Sequence, residues 1–292
     1  MTRTSLPLSI FVAFCVGCAG AESPPPPASG SGGSAPVGTG GTFDGTGGSF
    51  DGTGGSSTGS GGNSGSGGSA AAVNPLGRAR CTPPPGMTGT PQTIEDAVAF
   101  LNALPKPTSV ACFVEALDRP LGVYATNSML SLQPAVSNQS PRVFLKVANM
   151  WLSVVIDGPG DDLLEFGELI GDGMRSLKGE LKLPVTDAIA PTVPFDRVLY
   201  SNGGTTCGLC HRQEIVDHME GTSQIFSSVA FRPEPTTRVK LDSLRAQWTS
   251  CDWQAQPDRC DLLSSIFGGG DVVDAEFPSN MTTFLSTALP GS

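Results

Sequence analysis

The sequence predicts a mainly β domain with helical additions (α+β). It is expected to be a single antiparallel, β-sandwich-like unit behind a disordered Gly/Ser-rich tether. Three observations predict it. Glycine is unevenly placed, with 18 in the 52 positions from 22 to 73 and 18 in the 219 positions from 74 to 292. The front is thus too poor in apolar side chains to fold, while the rest has an ordinary globular composition. Residues 176–185 alternate without a fault, Leu177, Leu181, Leu183 and Val185 against Lys178, Glu180 and Lys182. A strand with one wet face belongs to an antiparallel sheet. Finally, strand-like runs lead and helical runs gather at the ends, an α+β order. The chain divides into a leader (1–17), a tether (18–75) and a domain (76–292) long enough for a proper core.

The elements follow in order. Ile94, Ala97, Val98, Leu101 and Leu104 recur at helical spacing behind Thr93 as cap, and Pro105 and Pro107 end that helix. Residues 110–117, 143–147, 150–156 and 163–170 read as strands parted by Gly, Pro, Asn and Asp turns, of which 157–160 and 171–173 are the firmest. Asp161, Asp162 and Glu165 read as a solvated hairpin end. Leu241, Leu244 and Trp248 share a helix face, and Leu262, Leu263, Ile266 and Phe267 suggest a second short helix. Gly268, Gly269 and Gly270 lack the Lys-Ser/Thr of a phosphate loop and read as a turn.

Charge and hydropathy narrow the function. With 17 Lys and Arg against 27 Asp and Glu, a net charge of −10 leaves little material for a nucleic-acid footprint. After the leader no apolar run approaches the length needed to span a bilayer. The leader has Arg3, then an apolar stretch from Leu6 to Gly17, the pattern of a secretory signal. Val16-Gly17-Cys18 resembles the lipobox of bacterial lipoproteins, with Cys15 where that family usually has Leu. The resemblance implies cleavage before Cys18, acylation of its sulfur, and, with Ala19 following, delivery to the outer membrane. A competing cut after Ala19-Gly20-Ala21 would release a soluble secreted or periplasmic protein. As a flexible coil, the tether reaches about 40 Å.

In an exported chain the cysteines are informative. Setting aside Cys15, Cys18, Cys207 and Cys210, the remaining Cys81, Cys112, Cys251 and Cys260 suggest two disulfides, and proximity favours Cys81–Cys112 and Cys251–Cys260.

Cys207-Gly208-Leu209-Cys210-His211 carries the chemistry. Two thiols three residues apart can reach the two vinyl groups of a porphyrin, and the imidazole that follows can ligate its iron. Over these five residues the chain resembles c-type cytochromes. The resemblance implies one covalent haem c, with thioethers from Cys207 and Cys210, His211 as axial ligand, Met281 as the possible sixth ligand, and a redox partner protein. Other readings of the same residues are a Cys207–Cys210 disulfide, a zinc site with His218 added, and a thioredoxin-type dithiol. With only His211 and His218 available, no hydrolytic triad stands out. The expectation is an envelope lipoprotein acting as electron carrier or sensor and not as an enzyme. The alternative is a haem-free, disulfide-stabilised lipoprotein with a structural, partner-binding or glycan-binding role.

Overall fold

Thr93 opens helix α1 (Ile94–Ala103) in the computed structural model, which describes residues 75–201 and 203–288. The expectations for the leader, the tether and Cys18 lie outside those residues. The Thr93 hydroxyl accepts the Asp96 amide at 3.1 Å, satisfying one of the donors a helix leaves open at its start. The Ile94 amide goes further afield and donates to Glu168 Oε2 at 2.9 Å.

The expected strand at 110–117 is instead helix α2 (Val110–Glu115). Ser109 caps it by accepting the Cys112 amide at 3.1 Å. Residues Val110 to Val114 are all buried, and an unbroken apolar run lacks the periodicity that separates a buried helix from a buried strand.

Strands β1 (Leu121–Thr126), β2 (Arg142–Val147), β3 (Met150–Val155), β4 (Leu163–Ile170) and β5 (Arg175–Lys182) form an antiparallel meander. Helix α3 (Val193–Val198) follows, then the hairpin β6 (Ile215–Glu220) and β7 (Ser223–Val229), whose second strand pairs with β5. The chain continues through β8 (Phe231–Arg232), β9 (Arg238–Val239), α4 (Leu241–Thr249), α5 (Pro257–Phe267), β10 (Val272–Asp274), β11 (Thr282–Thr283) and α6 (Phe284–Ala288). The nine-stranded sheet runs β10-β1-β2-β3-β4-β5-β7-β6, with β9 added to β1, and only β10 is parallel to its neighbour. A separate parallel ladder joins β11 to β8. The described residues are therefore mainly β and antiparallel, with helical additions, in one unit.

Register sorts the side chains. Val123, Leu145, Leu152 and Phe166 sit opposite one another across four strands, and all are at most 3% exposed. They meet the buried faces of α1, α2, α4 and α5, so the layer closing this core is helical. Both disulfides brace that layer: Cys81–Cys112 ties the leading segment to α2, and Cys251–Cys260 ties the end of α4 to α5. The row ends at Gly179, which pairs with Phe166. A Cβ there would lie 2.9 Å from Pro194 Cβ and 3.4 Å from its backbone. Gly179→Ala is therefore expected to destabilise the fold by about 1–3 kcal/mol through overpacking, measured by denaturant unfolding.

The opposite sheet face is not simply wet. Tyr124, Trp151, Leu169, Ala230, Ala275 and Met281 form a second buried cluster there. Glu165, read from the sequence as solvated, pairs with Arg142, which also donates to Ser153 Oγ at 2.6 Å. Lys178 is only 8% exposed. The alternation of β5 correctly separates two faces, but side chains distant in sequence cover the second. Among the described residues no helix is long and apolar enough to cross a membrane.

Candidate functional site

Cys207, Cys210 and His211 lie in the connection between α3 and β6, beside Lys178 on the sheet face opposite the core. The motif is wound locally. Thr205 caps a 3-10 turn, Thr206–Leu209, accepting the Gly208 amide at 3.2 Å. The Cys207 carbonyl accepts the amides of Cys210 at 3.1 Å and His211 at 2.8 Å, so the second sulfur and the imidazole are both placed relative to the first.

Glu214 fixes this turn from the other side. Its carboxylate accepts the Thr205 amide at 2.8 Å and also the Thr205 hydroxyl. The same carboxylate lies where a side chain at 208 would begin, with Oε1 2.8 Å from an ideal Cβ on Gly208. A side chain at 208 would have to push the Glu214 carboxylate off Thr205, so glycine between the cysteines is matched to Glu214, a residue the sequence alone did not single out.

His211 is anchored to the sheet. Its Nδ1 lies 2.8 Å from the Val229 carbonyl, and its ring stacks on Phe231 at 5.3 Å between centroids and 23° between planes. A carbonyl oxygen can only accept, so Nδ1 carries the proton and Nε2 keeps its lone pair. Burial, with Lys178 as a second cause, lowers the imidazole pKa to about 3. The ring is therefore neutral at physiological pH and offers one unprotonated nitrogen. A second-sphere carbonyl on the other ring nitrogen is the usual way a protein orients a histidine ligand.

Cys207 and Cys210 are both half-buried and take no part in a disulfide, whereas the other four cysteines of the domain are bridged. Burial pushes the Cys207 thiol up to about 11, against a smaller downward pull from Lys178. Burial in turn brings the Lys178 ammonium down to about 8, with Cys207, Glu165 and Glu214 pulling the other way. A thiol held protonated is a poor nucleophile, so the turn lacks the activated first sulfur of a thioredoxin-type dithiol.

The remaining expected residues are placed elsewhere. His218 stands on β6 opposite the core residue Ile225, and its Nδ1 meets Asp217 at 2.9 Å. Among the described residues no three His, Cys, Asp or Glu side chains converge as a metal donor set, so the zinc reading with His218 finds no support in the arrangement. Met281 is 2% exposed and belongs to the cluster of Trp151 and Tyr124, which Phe277 caps by stacking on Trp151 at 3.8 Å. The β8–β11 pairing sets Thr282 beside Phe231. Three of the four expected haem residues thus share one turn, and Met281 is buried in the Trp151 cluster. No protein-family model, no curated protein and no solved structure matches this chain.

Proposed function

We propose that this chain is an envelope lipoprotein, anchored through Cys18, that carries one covalent haem c at Cys207, Cys210 and His211 and acts as a one-electron carrier or sensor, not an enzyme. The observation that carries the reading is the state of His211: neutral, pinned through Nδ1–H to the Val229 carbonyl and so unprotonated at Nε2, on the same turn as two cysteines outside any disulfide. These are the residue types that hold c-type haem, and a histidine ligand must present an unprotonated ring nitrogen. When bound, the group supplies a one-electron iron couple.

The chain's own contribution is chemical and positional. Cys207 and Cys210 would hold the group by their sulfurs as thioethers, an addition that needs neither oxidant nor leaving group, and His211 would offer its Nε2 to the iron. Thr205, Glu214 and the glycine at 208 hold the turn that spaces the two sulfurs. Val229 and Phe231 fix the plane of the imidazole. His211 is the protein ligand of this proposal; Met281 would have to leave the Trp151 cluster to become a second one.

The test is direct. Exported chain produced with haem-attachment machinery is expected to show a Soret band that survives acid-acetone extraction. Cys210→Ala should lose one thioether and most of the acid-stable colour while keeping its far-UV dichroism, since the residue lies on a surface turn outside the core. A colourless parent chain would instead favour a haem-free binding or structural lipoprotein.

A further inference from the structure

The connection between β1 and β2, residues 127–141, contains no Asp, Glu, Lys, Arg or His. It nevertheless exposes four large apolar side chains within eight positions: Met129 at 75%, Leu130 at 58%, Leu132 at 54% and Val136 at 57%. Single exposed apolar residues are ordinary on protein surfaces, whereas four in one uncharged loop point to an interaction site.

This loop is held rigidly. Gln133 is fully buried, its amide donating to the carbonyls of Gly160 at 2.9 Å and Leu163 at 3.0 Å and its Oε1 accepting from Ser153 at 2.8 Å. Ser140 donates to the Asp157 carbonyl at 2.5 Å, and Arg259 from α5 donates to the Gln139 carbonyl at 2.6 Å. The loop's backbone is largely satisfied from within. The amides of Leu130 and Gln133 bond to the hydroxyls of Ser128 and Ser131, and those of Ala135 and Val136 bond to the carbonyls of Ser128 and Ser140.

We propose that this loop docks on a lipid bilayer, with Met129, Leu130, Leu132 and Val136 entering the interface below the headgroups. Three features favour a bilayer over a protein partner. The segment carries no charge that would have to be desolvated. Most of its amides are already paired, which lowers the main cost of placing irregular backbone in an apolar medium. A lipid anchor at Cys18 would keep the domain near a membrane. That last point rests on the anchor of the proposed function, whereas the first two do not. With a net charge of −10, the loop should prefer neutral to anionic surfaces, because anionic lipid repels the domain that carries it.

The experiment uses the full chain from residue 19 onward, its lack of acyl groups checked by mass, with phosphatidylcholine vesicles. The chain is expected to sediment with them and to bind less as phosphatidylglycerol is added. Leu130→Asp with Leu132→Asp should cut the bound fraction at least about tenfold without altering the melting curve, because both side chains already face water. Met129→Trp should be quenched by brominated lipid. The proposal is overturned if the parent chain stays in the supernatant, if the double variant sediments equally, or if the same leucines instead drive a concentration-dependent dimer. Failure of the anchor alone would look different: Cys18 would carry no lipid while the acyl-free chain still bound.

Discussion

Replacing both Cys81 and Cys112 by Ala is expected to lower the unfolding free energy by about 3–4 kcal/mol. The bridge closes a loop across a sequence separation of 31, and tethering a loop of that size removes about this much conformational freedom from the unfolded chain. Native contacts add to the effect. Both cysteines are buried, at 4% and 2% exposure, beside an ionic knot in which Arg78 pairs with Glu115 and Asp261 at 2.7 Å each and the Cys81 amide donates to Glu115 at 2.9 Å. Through Asp261 that knot reaches α5, so the bridge fixes the leading segment against two helices at once. Cys251–Cys260, with a separation of only 9, should be worth less, about 2.5 kcal/mol. Denaturant unfolding of the two double variants checks the ranking, and equal losses would contradict the loop-length argument.

The second large effect is an acid limb set by His211 in the haem-free chain. Unfolded, the imidazole binds a proton near 6.5; folded, burial delays this to about 3. Between those values the unfolded state holds the extra proton, so stability falls as pH falls, by about 1.4 kcal/mol per unit from this group. The contribution is fully present above pH 6.5 and is consumed on the way down to 3. His211→Asn keeps a side-chain donor for the Val229 carbonyl and does not titrate. Its unfolding free energy between pH 6 and 4 should therefore change less steeply than the parent's, and parallel slopes would refute the assignment. The alkaline side involves two opposed groups. Lys178, lowered from 10.5 to about 8, makes stability rise with pH between those values. Cys207, raised from 9.0 to about 11, makes it fall between those. They offset where the ranges overlap, and Cys207→Ser should uncover the lysine limb.

The sequence revealed more of the scaffold than of the site's surroundings. Strand β4 and the faces of β5 were legible because a half-buried antiparallel strand writes its burial into period-two alternation, and Gly-rich turns punctuate it. Helix α1 was legible from spacing and cap together. The segment 110–117 was not, since a run buried on every side loses the pattern that distinguishes 3.6 from 2. The hairpin β6–β7 escaped notice for the opposite reason: all six residues of β6 are exposed, so nothing forces alternation. The two cysteines and the histidine were legible because their spacing is local. Lys178, Glu214, Val229 and Phe231 were not, because each reaches the turn through strand register or a loop return that no short window of sequence encodes. The cluster that buries Met281 with Trp151 and Tyr124 was not legible either, because its members come from strands and loops far apart in sequence.

The Glu168 carboxylate that receives the Ile94 amide has one more consequence. Glu168 stands on the core side of β4, and burial raises its pKa. Helix α1 therefore takes its first acceptor from a strand 74 residues downstream, and it cannot complete its own start before the meander exists. Deuterium uptake at the Ile94 amide should accordingly track the slowest-opening strands and not the frayed ends of neighbouring helices. One backbone proton thus becomes a reporter of sheet assembly, readable without any probe attached to the protein.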